Sequence, residues 1–302
     1  MIRTRSQVAG VVIVAVFIAL NFYFLAAWLP WAIRHGAWDY PIYVEATRRL
    51  SDGTMYEWAG GYIYPYSPVF AWMMVPLAAL GQVGFALWRA AHVAAVLTIP
   101  NWPVRIAILF SWPFLNDTWE GNVNTFMAVA GYWAMRRSRV GGWAFLAFAV
   151  VIPKPILIPG LVWLLWQEPS YRKGFAALVV AHGVAVLATG YAFDWLPALL
   201  GATHDMNSTY NLMPSAIIGW WWAIIALPAA AWLTWRGRVG WASVVIVPYA
   251  AGATHLLWLL MERSWPRWLD LARRGDIVIG HVHVSGARLF QHDQAEGVDG
   301  NG

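Results

Sequence analysis

The chain has 302 residues, no cysteine and a formal net charge of +5, and it is 60% hydrophobic but only 12% charged. Soluble domains carry roughly a quarter charged residues, so this composition argues against a soluble globular protein. The lack of cysteine excludes disulfides, thiolate catalysis and cysteine-ligated metal centres. The positive charge comes largely from arginines beside apolar segments, as in cytoplasmic membrane loops, and we therefore expect no nucleic-acid partner.

Five segments of the chain contain no Asp, Glu, Lys or Arg: 6–33, 58–88, 174–193, 206–235 and 239–261. Each is long enough to cross a hydrocarbon core, which takes about 20 residues of helix. They lack the two-residue alternation of a membrane barrel. We therefore expect an all-α, polytopic membrane protein with about nine or ten membrane helices, some of them short, broken or re-entrant.

The N-terminal part predicts one span followed by a polar loop. Arg3 and Arg5 place the N-terminus in the cytoplasm, and the apolar run 6–33 is too long for a cleaved signal segment, so we expect an uncleaved first span. Residues 34–66 then lie outside. Apolar positions at helical spacing predict a short amphipathic helix at 40–50.

The middle of the chain is interrupted by glycine and proline. The run 69–80 is too short to cross and predicts a re-entrant or interfacial helix closed by a glycine, before a crossing at 82–99. Two prolines break 101–115. Residues 121–135 then cross to the basic stretch 136–139, the strongest cytoplasmic marker in the chain.

The C-terminal half predicts further short segments. Segments 141–152 and 156–166 are joined by Pro-Lys-Pro, 194–214 reads as an outer loop, and 239–261 reads as a span. We expect a membrane domain at 1–261, followed by a peripheral tail whose end is disordered. The tail's side is open: counting the last span puts it outside, whereas its arginines favour the cytoplasm.

Unusual polar residues converge on the predicted outer face. They include Asp39, the amide-rich stretch 116–124, Lys154 and the loop 207–214. The sequence has no nucleotide-binding glycine loop, no histidine pair at helical metal-ligand spacing and no nucleophile elbow. A carboxylate, an amide-rich loop and a cation at one membrane face suit chemistry on a lipid-borne anionic substrate.

Four of these stretches resemble motifs of glycosyltransferase family 87. They are 39–43 (Asp-Tyr-Pro-Ile-Tyr), 64–68 (Tyr-Pro-Tyr-Ser-Pro), 121–124 (Gly-Asn-Val-Asn) and 154–155 (Lys-Pro). That family belongs to the membrane-embedded GT-C class, which uses polyprenyl-phosphate sugars. Asn122 stands where the family motif has glutamine, and the chain is shorter than typical members, which have additional spans near the C-terminus.

The resemblance implies an inverting transferase in a bacterial-type inner (plasma) membrane. It would move a sugar, mannose by analogy, from a polyprenyl-phosphate donor to a lipid or glycan acceptor at the outer face. Asp39 would be the general base and Lys154 would bind the phosphate. The expected substrate-binding residues are Tyr43, Tyr64, Tyr66, Glu120, Asn122, Asn124, Lys154 and His255. We expect no cofactor, and a divalent metal is left open.

Structural alternatives stand beside these roles. Asp39 is also a suitable N-cap residue for the following helix. Lys154 could extend its ammonium to the membrane interface, and the tyrosines could belong to an interfacial aromatic belt. We expect His92 and His182 to be hydrogen-bonded core histidines. We expect Arg89 to form an ion pair with Glu120.

Two further functions compete with catalysis. One is a non-catalytic accessory subunit of a larger membrane complex on a reduced GT-C scaffold. The other is a transporter, against which the absence of a sequence repeat counts. The enzyme hypothesis predicts one shared cavity, with Asp39 and Lys154 about 7–12 Å apart on opposite sides of the sugar.

Overall fold

The computed structural model describes residues 5–57, 64–201, 215–247 and 254–262. Within these ranges the chain is helical and contains no strand, which confirms the all-α class there. The elements are α1 Arg5–His35, α2 Asp39–Arg48, α3 Pro68–Ala79, α4 Gln82–Leu97, α5 Trp102–Leu109, α6 Trp112–Glu120, α7 Asn124–Met135, α8 Arg139–Val151, a 3₁₀ turn Pro155–Leu157, α9 Ile158–Gln167, α10 Ser170–Ala188, α11 Ala192–Gly201, α12 Ser215–Ile218, a 3₁₀ turn Gly219–Trp221, α13 Trp222–Trp235, α14 Val239–Ile246 and a 3₁₀ helix Thr254–Met261.

Polar caps and prolines start several of the short helices. The Ser67 hydroxyl accepts from the Val69 amide at 3.2 Å at the start of α3. Asn101 and Ser111 cap α5 and α6 in the same way. All three helices carry proline in the first turn. Backbone N–H groups make no intrahelical hydrogen bond there, so proline, which lacks this group, is tolerated. The prolines expected to interrupt 101–115 therefore begin helices.

A sharp bend joins α3 to α4. The two axes differ by 116°, and Gly81 at the bend has φ +54, which favours glycine. A β-carbon on Gly84 would lie 1.9 Å from the carbonyl oxygen of Leu77, so the first turn of α4 touches the backbone of α3 directly. The short helix expected at 69–80, closed by Gly81, is present.

Helix α7 lies at the centre of the packing. It contacts α4, α8, α9 and the 3₁₀ helix Thr254–Met261. Phe145, Trp258 and Met261 are fully buried beside it. β-carbons on Gly131 and Gly160 would lie 2.7 and 2.4 Å from the Met261 side chain, so these two glycines make room for it.

The C-terminal half differs from the sequence-based expectation in two places. Part of the outer loop expected at 194–214 is helix, because α11 continues to Gly201 with Pro197 inside it. The single span expected at 239–261 is not a single helix, since α14 ends at Ile246 and a 3₁₀ helix resumes at Thr254. The tail beyond Glu262 lies outside the described residues.

One helix in the described part of the chain is long and apolar enough to cross a membrane, α10. The bent pair α3–α4 would count as a second if it forms one broken span. Helices α8 and Pro155–Gln167 are apolar but shorter. Helix α1 spans 31 residues, and most side chains of its first half lie outside the described set.

Candidate functional site

Asp39 opens α2 but does not cap it. The N-cap position is occupied by Trp38, which makes no side-chain capping bond, and Asp39 is the first helical residue. Its carboxylate oxygen Oδ2 instead accepts a hydrogen bond from Asn122 Nδ2 at 2.7 Å. The carboxylate is therefore engaged by a loop 83 residues away in sequence, which the capping alternative does not explain.

Asn122 connects Asp39 to Lys154. The Lys154 ammonium donates to Asn122 Oδ1 at 3.3 Å and to Asn124 Oδ1 at 3.0 Å. Lys154 Nζ also lies 5.3 Å from the centroid of the Tyr66 ring. Four side chains thus form one hydrogen-bonded series, Asp39–Asn122–Lys154–Asn124, which we call the polar series.

The turn that presents Asn122 depends on Gly121. This glycine ends α6 in the left-handed region, with φ +72. A β-carbon there would lie 2.7 Å from the β-carbon of Tyr40, so the turn also lets α2 approach closely. The indole of Trp88 donates to the Gly121 carbonyl at 2.7 Å and holds the turn against α4.

Asp117 anchors the other side of the loop. It is fully buried and accepts from Asn124 Nδ2 at 3.0 Å, from the Thr125 amide at 2.8 Å and from the Thr125 hydroxyl at 2.6 Å. The sequence singles out the stretch 116–124, which contains Asp117 as a candidate for binding sugar hydroxyls, but not its role as the buried anchor of the loop. The signal for it was present, since an aspartate in so apolar a chain is costly unless it is paired.

Burial shifts the acidity of two carboxyls at this site. It raises the pKa of Asp39 to about 6, against the opposing effects of the Lys154 ammonium and the Asn122 hydrogen bond. Burial likewise raises the pKa of Glu120 to about 7, although its Oε2 accepts from the Trp38 amide at 2.7 Å. Both residues lie at ends of short helices, outside the predicted membrane spans. Desolvation therefore outweighs the favourable contacts at each carboxyl.

The three predicted tyrosines form a buried aromatic cluster. Tyr43, Tyr64 and Tyr66 are 0%, 4% and 8% exposed, and the ring centroids of Tyr43 and Tyr64 lie 5.5 and 5.6 Å from that of Tyr66. Such burial does not fit an interfacial belt. The burial leaves little ring surface for a sugar, and Tyr66 contacts the polar series through Lys154.

Two further residues singled out by the sequence are Arg89 and His255. Instead of pairing directly with Glu120, Arg89 donates to the Trp119 carbonyl at 2.8 Å and places its guanidinium 3.9 Å above the Phe85 ring. His255 belongs to the 3₁₀ helix Thr254–Met261, but its side chain lies outside the described set.

A cavity of about 930 Å³ lies on another side of α2. Its lining includes Trp38, Tyr40, Glu45, Arg48, Tyr64 and Phe85. Of the predicted site residues whose side chains the structure describes, only Tyr64 lines this cavity. The shared, sugar-sized gap expected between Asp39 and Lys154 is not observed, because the Asn122 carboxamide bonds to both groups and occupies the place between them.

Within the described ranges, no three His, Asp or Glu side chains stand close enough to hold a metal ion. No family model, curated protein or solved structure matches the chain. The likeness to glycosyltransferase family 87 therefore rests on the sequence motifs alone.

Proposed function

We propose that the chain is a membrane-embedded glycosyltransferase that uses a polyprenyl-phosphate sugar, with Asp39 as the general base. One observation carries the proposal: the polar series joins Asp39, Asn122, Lys154 and Asn124. These residues belong to three separate motifs that sequence resemblance assigns to one site.

The exposed surface supports a position in the lipid bilayer. Val180, Val184 and Leu187 of α10 are 66%, 61% and 64% exposed, and only 11% of the most apolar part of this helix is buried. Large apolar side chains are also exposed along α13. Soluble monomers rarely expose continuous apolar surface of this kind. Lipid tails are the proposed covering, in a polytopic arrangement with the N-terminus in the cytoplasm.

The proposed reaction uses the two charged ends of the polar series. Asp39 takes the proton from an acceptor hydroxyl while that oxygen bonds to the anomeric carbon of the sugar. The bond from this carbon to the donor phosphate breaks, and polyprenyl phosphate leaves with the bonding electrons. Lys154 offsets the negative charge that develops on the phosphate. Inversion follows, because base and leaving group lie on opposite faces of the sugar.

Substrate binding requires a rearrangement of Asn122. In the described structure its amide satisfies both Asp39 and Lys154. A donor phosphate would replace the Asn122 oxygen on the Lys154 ammonium, and the freed amide would then face sugar hydroxyls. An anionic phosphate is a stronger partner for an ammonium than a neutral amide, and this difference favours the exchange.

The second candidate is a non-catalytic subunit of a larger membrane complex. The same direct contacts favour it, since the polar residues satisfy one another and leave no sugar-sized gap. In this function the polar series would hold α2 against the turn at Gly121, and exposed tryptophans such as Trp220 and Trp221 would pack against partner subunits.

A transfer assay separates the two candidates. The purified chain is reconstituted in lipid vesicles with a polyprenyl-phosphate donor carrying a labelled sugar, and empty vesicles serve as control. The transferase proposal predicts label in a lipid or glycan product only when protein is present. No transfer from any donor, together with co-elution of stoichiometric membrane partners from native membranes, would favour the subunit.

A further inference from the structure

Both ring nitrogens of His92 face backbone carbonyl oxygens at hydrogen-bond distance. The residue lies in α4 and is fully buried. Its Nδ1 is 2.8 Å from the carbonyl oxygen of Trp88, and its Nε2 is 2.6 Å from the carbonyl oxygen of Asn122. Backbone carbonyls only accept hydrogen bonds, and a neutral imidazole donates one. Two such bonds require a proton on each ring nitrogen.

The surroundings of the ring supply the matching negative charge. Asp117 Oδ2 lies 3.8 Å from His92 Nε2, and both side chains are fully buried. On the same helix, the neighbouring cation Arg89 is directed to the Trp119 carbonyl. The ring of Phe126 packs at 4.3 Å between centroids and closes one face of the imidazole. A buried cation is tolerated where a counter-charge and full hydrogen bonding accompany it, and here both are present.

A neutral ring would fit this geometry poorly. One nitrogen lone pair would then face a carbonyl oxygen at 2.6 or 2.8 Å, so two acceptors would be in contact. Among the described residues, the buried Asp117 carboxylate would then have no cation within 4 Å. Protonation of both nitrogens removes both problems at once.

We infer that His92 is a doubly protonated imidazolium, paired with Asp117, that holds the backbone of Asn122 in place. Through that backbone the ring sets the position of the Asn122 side chain between Asp39 and Lys154. His92 is thus a positioning residue. Its effect on sugar transfer rests on the proposed function, whereas its protonation state and its pairing with Asp117 do not.

Nitrogen NMR tests the protonation state directly. The full chain, labelled with ¹⁵N in the histidine rings, is placed in lipid nanodiscs at neutral pH, and the His92 signals are identified by their loss in His92→Gln. The expected result is two protonated ring nitrogens. One bare ring nitrogen in the wild-type chain would overturn the inference. His182 is an internal reference, because its buried Nε2 has no hydrogen-bond partner in the described structure.

A second variant tests the pairing. Asp117→Asn keeps the shape and an acceptor oxygen but removes the counter-charge, so we expect one His92 nitrogen to lose its proton. Two protonated nitrogens in the Asp117→Asn chain would show that the carboxylate is not the partner and would overturn the pairing.

Activity gives the third arm. We expect His92→Gln to lower transfer about tenfold, the size of one lost charge-assisted hydrogen bond, and His182→Gln to leave it unchanged. Equal activity of the two variants would overturn the positioning role. If the ring is doubly protonated but the wild-type chain transfers no sugar, the proposed function fails and the protonation state stands.

Discussion

At the level of single residues, the Asp39 carboxyl is governed by burial. Its pKa is about 6, above the ordinary value of 3.8, even though the Lys154 ammonium and the Asn122 amide both favour the charged form. A general base works best with a pKa near the working pH, because it is then ionised and still able to hold a proton. Burial therefore gives this aspartate a pKa closer to neutral pH than that of a surface aspartate, as a general base requires.

We expect sugar transfer to rise with pH through a midpoint near 6, since only ionised Asp39 accepts the proton. Stability should move in the opposite direction. The folded pKa exceeds the unfolded value, so this carboxyl favours the folded state most at low pH, and that contribution is lost as pH rises from about 4 through 6. Profiles of kcat/KM and Tm against pH check both. In the Glu120→Gln variant, the rise of kcat/KM near pH 6 should remain. If that rise disappears in this variant, the titrating group is Glu120 and not Asp39.

Lys154 offers a test of donor binding. Lys154→Met should weaken binding of polyprenyl phosphate about 10–100-fold, because a charge-assisted hydrogen bond to the phosphate is lost. Lys173→Met removes the only other lysine of the chain, which is exposed on α10, and should leave binding unchanged. Titration in nanodiscs measures both. Equal affinities of the two variants would remove Lys154 from the phosphate site.

At the level of elements, the α3–α4 bend holds α2 as well. The Tyr40 hydroxyl donates to the Leu77 carbonyl at 3.2 Å, the same oxygen that lies against Gly84. A side chain on Gly84 would therefore disturb the junction of three helices. Because Tyr40 follows Asp39 in α2, the bend also helps to fix the start of α2, where Asp39 lies.

We expect Gly84→Ala to destabilise the protein by about 3 kcal/mol, since the new methyl group overlaps backbone that cannot rotate away. Gly183→Ala is the matched control: Gly183 lies in α10 with nothing within 4 Å, and alanine should stabilise the helix there by up to about 1 kcal/mol. Denaturant unfolding followed by tryptophan fluorescence compares them. Equal stability of the two variants would contradict the close α3–α4 contact.

Local signals in the sequence predict the breaks between short helices well. Gly81 and the prolines near 101–115 mark real boundaries, because proline and positive φ act on the backbone within a few residues. The helix α11 is missed because Asp194 and Pro197 favour a loop locally, whereas the folded chain accommodates both in its first two turns. The break between α14 and the last 3₁₀ helix does have a local signal that the expected single span overlooked. Pro248 follows Val247, and a residue before proline disfavours the helical conformation; Val247 is extended accordingly.

The site is predictable only in part, for a related reason. Motifs single out Asp39, Asn122 and Lys154, and the structure joins them. The bond from His92 to Trp88 is local, but the bond to Asn122 spans 30 residues and depends on how α4 packs beside the loop. Which residues touch across such distances follows from packing, which a single sequence does not contain.

At the level of the whole molecule, α7 and α8 form a hairpin that leaves the polar series and returns to it. Helix α7 begins at Asn124 in the polar series and ends at Met135, and α8 returns from Arg139 towards Lys154. Twelve residues of helix rise about 18 Å, so the basic stretch 136–139 lies at the end of this hairpin away from Asp39. This separation is shorter than a hydrocarbon core of about 30 Å, so opposite membrane faces for Asp39 and the basic stretch stay a prediction.

Cysteine mapping tests that topology, and the cysteine-free chain is a ready background. We expect a membrane-impermeant maleimide to label Asp52→Cys in intact cells, and to label Val140→Cys only after permeabilisation. Both positions are exposed, so accessibility within the fold is matched. Labelling of both from the same side would place Asp39 and the basic stretch on one face and overturn the topology.

The measurement that bears most directly on the proposed chemistry is the transfer rate of Asp39→Asn beside Asp52→Asn. Both variants exchange an aspartate for its amide in the predicted outer loop. Asp52 is exposed and accepts hydrogen bonds from Thr54, whereas Asp39 lies in the polar series. We predict that Asp39→Asn abolishes transfer while its Tm equals or exceeds that of the wild type, because a buried charge is removed and the bond to Asn122 can persist. Asp52→Asn should transfer at the wild-type rate. Wild-type turnover by a folded Asp39→Asn chain would contradict the assignment of Asp39 as the base.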